Sequence, residues 1–350
     1  MILLRLLVAG GLVAGTLVLG AVDNPKLCVP GASPEAEALY QYLNDIEGKQ
    51  TLSGQHGPPL TGDTRLPGLH KLLGHYPAVF SQDFGFSEPG SWDGINFRQR
   101  IVDDAIRRQN EGFIINLMWH AVPPTEDEPV TFEKSIQSKL TDAQWRELLT
   151  AGTRLNERWQ SQVDVIAFFL RQLRDAHVPV LWRPYHEMNG SWFWWGGRPG
   201  PENFTKLYRM LYDRLVNFHR LNNLIWVYGP NEVRENVGEY ADFFPGHDVV
   251  DALATDVYSQ GFSAHNYDSL LALAAGKPIG LGEVGPIPPV EILEQQPRWA
   301  WFVAWNDPNS IQPSDRTALK ATYASGRVVK WEDLPWVRVK RPSIHYPVIK

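Results

Sequence analysis

Eight short segments of the sequence are rich in β-branched and aromatic residues and end at turn or helix signals, which is typical of buried strands. Helical stretches lie between them, and strands that alternate with helices predict an α/β fold with a parallel sheet. Eight such strands in a chain of 350 residues predict a single-domain (β/α)8 TIM barrel. A doubly wound open sheet is the alternative, but no Gly-rich phosphate loop follows the first segment. The predicted strands are Thr51–His56, Ala78–Phe84, Phe113–His120, Val178–Glu187, Leu224–Gly229, Val250–Tyr258, Pro278–Gly285 and Trp299–Asn306.

Apolar residues at helical spacing predict the helices. Asn96–Gln109 is one of them. Thr141 is predicted to begin a long helix that continues through Leu173, with Gln144 placed to complete a capping box. Two further helices are predicted at Phe204–Leu221 and Asp315–Ala324.

The chain divides into four predicted parts. Residues 1–20 are a predicted signal peptide, because one early charge, Arg5, precedes an apolar run that ends in small residues. That run, Leu6–Leu19, is shorter than the roughly 20 residues that cross a bilayer, which disfavours a membrane anchor. Residues 21–48 are a lead and first helix, residues 49–326 the barrel, and residues 327–350 an irregular strap anchored by Trp331 and Trp336. The protein is therefore expected to be secreted, extracellular or periplasmic, and free of the membrane after cleavage.

Composition narrows the class of partner. The net charge is −6 and no basic stripe occurs, which argues against nucleic acid. The single cysteine excludes an intramolecular disulfide and a multi-cysteine metal site. The 14 tryptophans favour a carbohydrate partner, because sugars stack their C–H faces on flat aromatic rings, although tryptophan also fills large cores.

Several predicted strands end in polar or aromatic residues. In a barrel of this kind the active site lies at the carboxyl ends of the strands. A buried carboxylate or histidine is unfavourable there unless it is paired or functional. The sequence therefore predicts a site at this rim, built from His56, Asp83, His120, His186, Glu187, Tyr258, Glu283 and Trp305. For His56 and Asp83, sugar binding and the tying of loops are both open.

Two glutamates on the rim indicate the chemistry. Glu187 ends predicted strand four and Glu283 ends predicted strand seven, which face each other across the barrel mouth. Hydrolysis of a glycosidic bond needs one carboxyl group to protonate the leaving oxygen, and a second carboxylate to attack the anomeric carbon or to activate water. The pair predicts a glycoside hydrolase, and a structural ion pair is the alternative.

Two motifs carry a resemblance to a known family. The stretch Trp182–Gly196, WRPYHEMNGSWFWWG, closely resembles the strand-four signature of glycoside hydrolase family 26, whose commonest members are endo-β-1,4-mannanases. Gly282–Gly285 resembles the strand-seven motif of the same family, and this short motif gains its weight from its position. With the strand pattern, the resemblance spans Gln50 to Ser325. It implies that Glu187 is the general acid/base and Glu283 the nucleophile of a retaining mechanism.

The resemblance also implies residues that bind the sugar. His120 and His186 would lie beside the sugar at the cleavage point. Trp192, five residues after Glu187, would line the leaving-group side. Trp305 would be the stacking platform under the cleaved sugar.

Two further residues are implied to act on the carboxylates. Tyr258 would donate a hydrogen bond to Glu283 and keep it ionised, and Arg183 would orient the carboxylates from below. For His120 and Tyr258 the alternative is an ordinary hydrogen-bonded rim residue. Trp194 and Trp195 are predicted to pack in the core rather than to bind sugar.

The implied function is hydrolysis of β-1,4-mannosidic bonds in mannan, glucomannan or galactomannan, as in a mannan endo-1,4-β-mannosidase. A β-1,3-1,4-glucanase or β-1,3-xylanase of the same family and a non-catalytic carbohydrate-binding barrel are the alternatives. No cofactor is expected, and no metal, because no His/Glu ligand spacing typical of zinc sites occurs on the predicted helices. The expected partner is a mannan-type polysaccharide, with no nucleic acid, and the protein is expected to be a monomer. The acidic, Pro-rich insert Val122–Val130 is expected to form a subsite wall or to block one end of the cleft.

Overall fold

The computed structural model describes residues 26–59, 64–87, 92–259 and 261–339. The predicted signal peptide and the last residues of the predicted strap lie outside the described residues. No helix within the described ranges is long and apolar enough to span a bilayer.

Eight parallel strands close into a barrel, each pairing with the next along the chain and the last pairing with the first. The predicted (β/α)8 barrel is therefore confirmed. The first strand, β1, is interrupted at Ser53 and has two parts. The strands are β1 (Thr51–Leu52 and Gly54–His56), β2 (Val79–Asp83), β3 (Ile114–Trp119), β4 (Val180–Pro184), β5 (Leu224–Tyr228), β6 (Ala252–Val257), β7 (Ile279–Val284) and β8 (Trp299–Ala304).

Alternate residues of the strands point to opposite faces of the sheet, as the pleat of a strand requires. Trp182 and Trp226 pack outward among the helices. The residue that precedes each of them, Leu181 or Ile225, belongs to a second apolar cluster inside the barrel. The first helix contributes to that inner cluster, and its Tyr40 hydroxyl donates to the carbonyl oxygen of Asp251, just before β6. The helix therefore covers the amino end of the barrel, opposite the predicted site.

The described helices are α1 (Pro34–Ile46), α2 (Arg65–Leu73), α3 (Arg98–Glu111), α4 (Asp142–Leu148), α5 (Arg154–Asp175), α6 (Phe204–Tyr212), α7 (Ala264–Ala274), α8 (Val290–Gln295), α9 (Arg316–Ala324) and α10 (Pro335–Val339). The predicted capping box of Thr141 and Gln144 is present at the start of α4. The prediction of one long helix from Thr141 is wrong, because Gly152 lies between α4 and α5 with a φ of +79° that no helix accommodates. The helix predicted over Phe204–Leu221 is α6 followed by a π-helical stretch, Asp213–Phe218.

The segment after α9 is more regular than predicted. Val328–Val329 forms a short strand that pairs with Thr51–Leu52, and α10 follows. The indole nitrogen of Trp331 donates to the carbonyl oxygen of Glu111, and that of Trp336 donates to the carbonyl oxygen of Gly112. Both tryptophans thus hold this segment against the end of α3.

Candidate active site

The end of β4 brings Glu187 to the carboxyl rim of the barrel. The strand ends at Pro184, three residues earlier than predicted, because Tyr185 and Glu187 adopt left-handed φ angles of +49° and +55°. Such angles are uncommon for residues other than glycine and are held only where the surroundings fix them. Here the backbone N–H of Glu187 donates to the carbonyl oxygen of Gly229, just after β5, at 2.7 Å.

Each oxygen of the Glu187 carboxyl group accepts one hydrogen bond. The indole N–H of Trp192 donates to Oε2 at 2.6 Å, and the amide of Asn231 donates to Oε1 at 2.6 Å. Trp192 reaches back to Glu187 by crossing Gly190, where a Cβ atom would lie 2.0 Å from the indole ring. The glycine of the strand-four motif is therefore required by this close approach.

The pKa of Glu187 is raised to about 7. Burial is the largest cause, because it penalises the ionised form, and the negative charge of Glu283 adds to it. The hydrogen bonds from Trp192 and Asn231 and the charge of Arg183 act in the opposite direction. Glu187 is thereby suited to carry a proton near neutral pH.

Glu283 lies within β7, is 5% exposed, and is held by donors on both oxygens. The Tyr258 hydroxyl donates to Oε2 at 2.7 Å, and the Arg183 guanidinium donates to Oε1. Nε2 of His186 lies 3.6 Å from the same Oε1. These contacts stabilise an ionised carboxylate.

Arg183 lies between two buried carboxylates. It donates to both oxygens of Asp256, at 3.0 and 2.8 Å, as well as to Glu283. It does not contact Glu187 by a hydrogen bond in the described structure, so its direct contact is with one of the two predicted catalytic carboxylates. Gly282 leaves room for this arrangement, since a Cβ atom there would lie 2.6 Å from Asp256 Oδ1.

His120 follows β3 directly, and its Nδ1 bonds to Asp83, the last residue of β2. Burial by itself lowers the pKa of His120, but the attraction of Asp83 outweighs it, and the pKa is raised. The His186 ring lies 4.4 Å from the His120 ring, edge to face. Burial and the charge of Arg183 lower the pKa of His186 well below its ordinary value, so the two neighbouring histidines favour opposite charge states.

Trp305 follows β8 directly and stacks on the ring of His56, with centroids 3.8 Å apart and an interplanar angle of 16°. The guanidinium of Arg65 donates to the Trp305 carbonyl oxygen at 2.5 Å. Burial and then the charge of Arg65 lower the pKa of His56 to about 3, so the ring is neutral. His56 therefore supports one face of Trp305.

The two tryptophans that follow Phe193 are buried. The Trp194 indole donates to the carbonyl oxygen of Ala121, and the Trp195 indole donates to that of His186. Both pack in the core, as predicted.

The insert Val122–Val130 is held against the outer helices. Arg158 of α5 donates to the carbonyl oxygen of Pro124, and Gln162 donates to that of Glu126. Arg98, at the start of α3, pairs with the carboxylate of Glu128. The insert is thus a fixed part of the barrel surface.

Sequence reasoning missed several residues of this site. Asn231 donates to Glu187, and Asp256 accepts from Arg183. Glu232 accepts from the backbone N–H groups of Tyr258 and Ser259. None of them belongs to the two family motifs. Asp256 lies within predicted strand six, where a carboxylate in a buried run was the available signal.

One group of residues has the geometry of a possible metal site. His186, Asp256 and Glu283 offer ligand atoms that all lie within 4.8 Å of one another. The Arg183 guanidinium already bonds to both carboxylates and supplies the positive charge there. These two carboxylates are therefore better explained as partners of the Arg183 guanidinium than as ligands of a metal ion.

Comparison with known proteins gives a consistent set of relatives. A profile of glycosyl hydrolase family 26 matches residues 28–333. The mannan endo-1,4-beta-mannosidase of Thermothelomyces thermophilus is 34% identical, over 89% of this chain and 64% of its own length. Mannan endo-1,4-beta-mannosidase B of a Piromyces species is 32% identical, over 89% of this chain and 54% of its own length. The chain thus spans between half and two thirds of these two relatives.

Solved structures agree with the sequence relatives. The structure of GH26A from Muricauda sp. MAR_2010_75 has a TM-score of 0.82 at 41% identity, and the match covers 87% of this chain and 99% of that one.

Proposed function

The chain belongs to glycosyl hydrolase family 26, and we propose that it hydrolyses β-1,4-mannosidic bonds in mannan, glucomannan or galactomannan with retention of configuration. The observation that carries the proposal is the pair of rim glutamates in contrasting surroundings. Glu187 is buried with a raised pKa, whereas Glu283 accepts from a guanidinium and a phenol. A proton donor and an ionised nucleophile are the two groups that a retaining glycosidase needs.

In the first step Glu283 attacks the anomeric carbon while Glu187 transfers its proton to the glycosidic oxygen. The bond from the anomeric carbon to that oxygen breaks, and a covalent glycosyl ester forms on Glu283. Arg183 and Tyr258 hold the attacking carboxylate in place through its two oxygens. The hydrogen bond from Trp192 to the acid, Glu187, supports its placement on the leaving-group side.

In the second step Glu187, now ionised, removes a proton from water, and the water oxygen displaces Glu283 from the anomeric carbon. Esterification removes the negative charge of Glu283, which is one cause of the raised pKa of Glu187. The pKa of Glu187 therefore falls in the intermediate, and the same residue is suited to act first as acid and then as base.

The pH dependence of kcat/KM follows from the raised pKa of Glu187. The acid must be protonated in the free enzyme, so kcat/KM falls as the pH rises through about 7. The measurement is the kcat/KM profile on soluble mannan.

In enzyme trapped with a fluorinated mannosyl inhibitor, carboxyl NMR should give a lower pKa for Glu187 than in free enzyme. An unchanged or higher value would show that the charge of Glu283 does not set the acid.

Replacement of Trp305 by alanine is expected to weaken turnover without changing which bonds are cut. The substitution removes a stacking face worth roughly 1–3 kcal/mol, on the scale of burying a large apolar side chain. The expected fall in kcat/KM on mannan is thus about 5- to 150-fold. Trp336→Ala is the control, because Trp336 packs α10 against the end of α3 and does not contact the site residues. Unchanged kinetics of Trp305→Ala would show that this residue is only a packing element.

The substrate is tested by products. Incubation with mannohexaose and, separately, with mixed-linkage β-glucan and with β-1,3-xylan should give short mannooligosaccharides from the first and little cleavage of the other two. Proton NMR of the nascent reducing ends should show the β anomer first, since the configuration is retained. Preferred cleavage of the β-glucan or of β-1,3-xylan would replace mannan with that substrate.

Export is a further part of the proposal. Its support is the charged start and apolar run of residues 1–20, together with the polysaccharide substrates of the relatives. We take the mature protein to be a monomer in the medium or periplasm. N-terminal sequencing of protein from an expressing culture, with light scattering of the purified sample, tests both statements.

A further inference from the structure

The loop after β5 contains a residue that contacts the carboxyl group of Glu187 and lies outside both family motifs. Asn231 is 4% exposed, and its amide nitrogen donates to Glu187 Oε1 at 2.6 Å. It is two residues beyond Gly229, the residue that receives the backbone N–H of Glu187. The β5 loop thus contacts both the backbone and the side chain of Glu187.

The backbone of Asn231 is itself fixed by the loop that carries Glu187. The side-chain amide of Asn189 donates to the Asn231 carbonyl oxygen at 2.8 Å, and its oxygen accepts from the Asn231 N–H at 2.8 Å. The same Asn189 amide donates to the Gly238 carbonyl oxygen at 2.9 Å. Because both polar backbone groups next to the side chain are bound, the amide of Asn231 has little freedom to move away from Glu187.

We propose that Asn231 is a positioning residue for the acid/base, which aims the Glu187 carboxyl group and stabilises the carboxylate that remains after proton transfer. The inference rests on the proposed role of Glu187. An N–H donor to a carboxylate makes a charge-assisted hydrogen bond, which is stronger than a bond to the neutral acid. Asn231 on Oε1 and Trp192 on Oε2 therefore favour release of the proton, against the burial that favours its retention.

The orientation of the Asn231 amide decides whether loss of this residue raises or lowers the pKa of Glu187. The Oδ1 atom of Asn231 is buried and has no hydrogen-bond partner among the described residues. The amide therefore contacts Glu187 as a donor, through its nitrogen. An amide turned over would accept from a protonated carboxyl group instead and would favour the neutral acid. Donation predicts that loss of Asn231 raises the pKa of Glu187, and acceptance predicts that it lowers it.

The test is a titration of Glu187 in Asn231→Ala and Asn231→Leu by carboxyl ¹³C NMR, with the resonance assigned from Glu187→Gln. The leucine variant keeps the volume of the side chain and removes the donor, and thermal melts establish that each variant is folded. We expect the pKa of Glu187 to rise by about one unit in both, a tenfold change in its ionisation equilibrium. On mannan, kcat should fall about tenfold with little change in KM, whereas an aryl glycoside with a good leaving group should be nearly unaffected.

Asn266→Ala is the matched control. Asn266 is also buried and accepts from the backbone N–H of Val233 in the same loop, but it does not bond to Glu187. It should leave the Glu187 titration unchanged. A lowered or unchanged pKa in the folded Asn231 variants, or an equal shift in Asn266→Ala, would overturn the proposal. The titration needs no substrate, so a failure of mannan hydrolysis would count against the proposed function and leave the assignment of Asn231 to be decided by the titration.

Discussion

Replacement of Glu283 by alanine should reduce turnover of mannan by at least about 10⁴-fold, the scale of losing one member of a catalytic unit. The variant has no carboxylate to attack the anomeric carbon, and the other contacts of the site cannot supply one. Arg183 retains its two bonds to Asp256, so no buried charge is left without a partner. The measurement is kcat/KM on mannan, with the circular dichroism spectrum and melting temperature as evidence of folding.

Glu291→Ala is the control for this variant. Glu291 is an exposed residue at the start of α8, a short helix that follows β7. It should retain full activity. A folded Glu283→Ala protein with more than a few per cent of the wild-type rate would remove Glu283 from the role of nucleophile.

Glu187→Ala should produce a loss that depends on the leaving group. Proton donation contributes about 10²–10⁴-fold, and a sugar leaving group needs it. A nitrophenolate leaves without a proton, so an activated aryl mannoside should be attacked at nearly the wild-type rate. The measurement is pre-steady-state glycosylation on both substrates.

The second step gives an independent check on Glu187→Ala. Without a base, water attacks the glycosyl ester slowly, but azide is already an anion and needs none. Added azide should accelerate turnover of the aryl substrate and yield the β-mannosyl azide. Equal losses on both substrates, with no effect of azide, would mean that Glu187 is not the acid/base.

The sequence was sufficient to predict the barrel, the family and which residues lie at the strand ends. Short buried runs rich in β-branched and aromatic residues, with turn or helix signals between them, predict the barrel, and the family profile confirms the resemblance inferred from Trp182–Gly196. His120, Tyr258 and Trp305 each follow directly on the end of a strand, so a strand prediction alone brings them to the rim.

Contacts between distant segments could not be predicted in this way. Asn231 meets Glu187 across 44 positions of the chain, and Arg183 meets Asp256 across 73. Neither hydrophobic periodicity nor a capping residue indicates a contact between such distant positions. The end of β4 was missed for a different reason, because the left-handed φ of Tyr185 and Glu187 depends on neighbours in other loops.

The most direct test of the central claim is to trap the glycosyl-enzyme and locate the bond. A mannosyl donor with fluorine at C2 and a good leaving group slows both steps but leaves the second step slower, so the covalent ester accumulates. Peptide mapping by mass spectrometry should then find one mannosyl adduct, on Glu283, and none in the Glu283→Ala variant. An adduct on any other residue, or consumption of the donor with inverted product and no adduct, would contradict the mechanism.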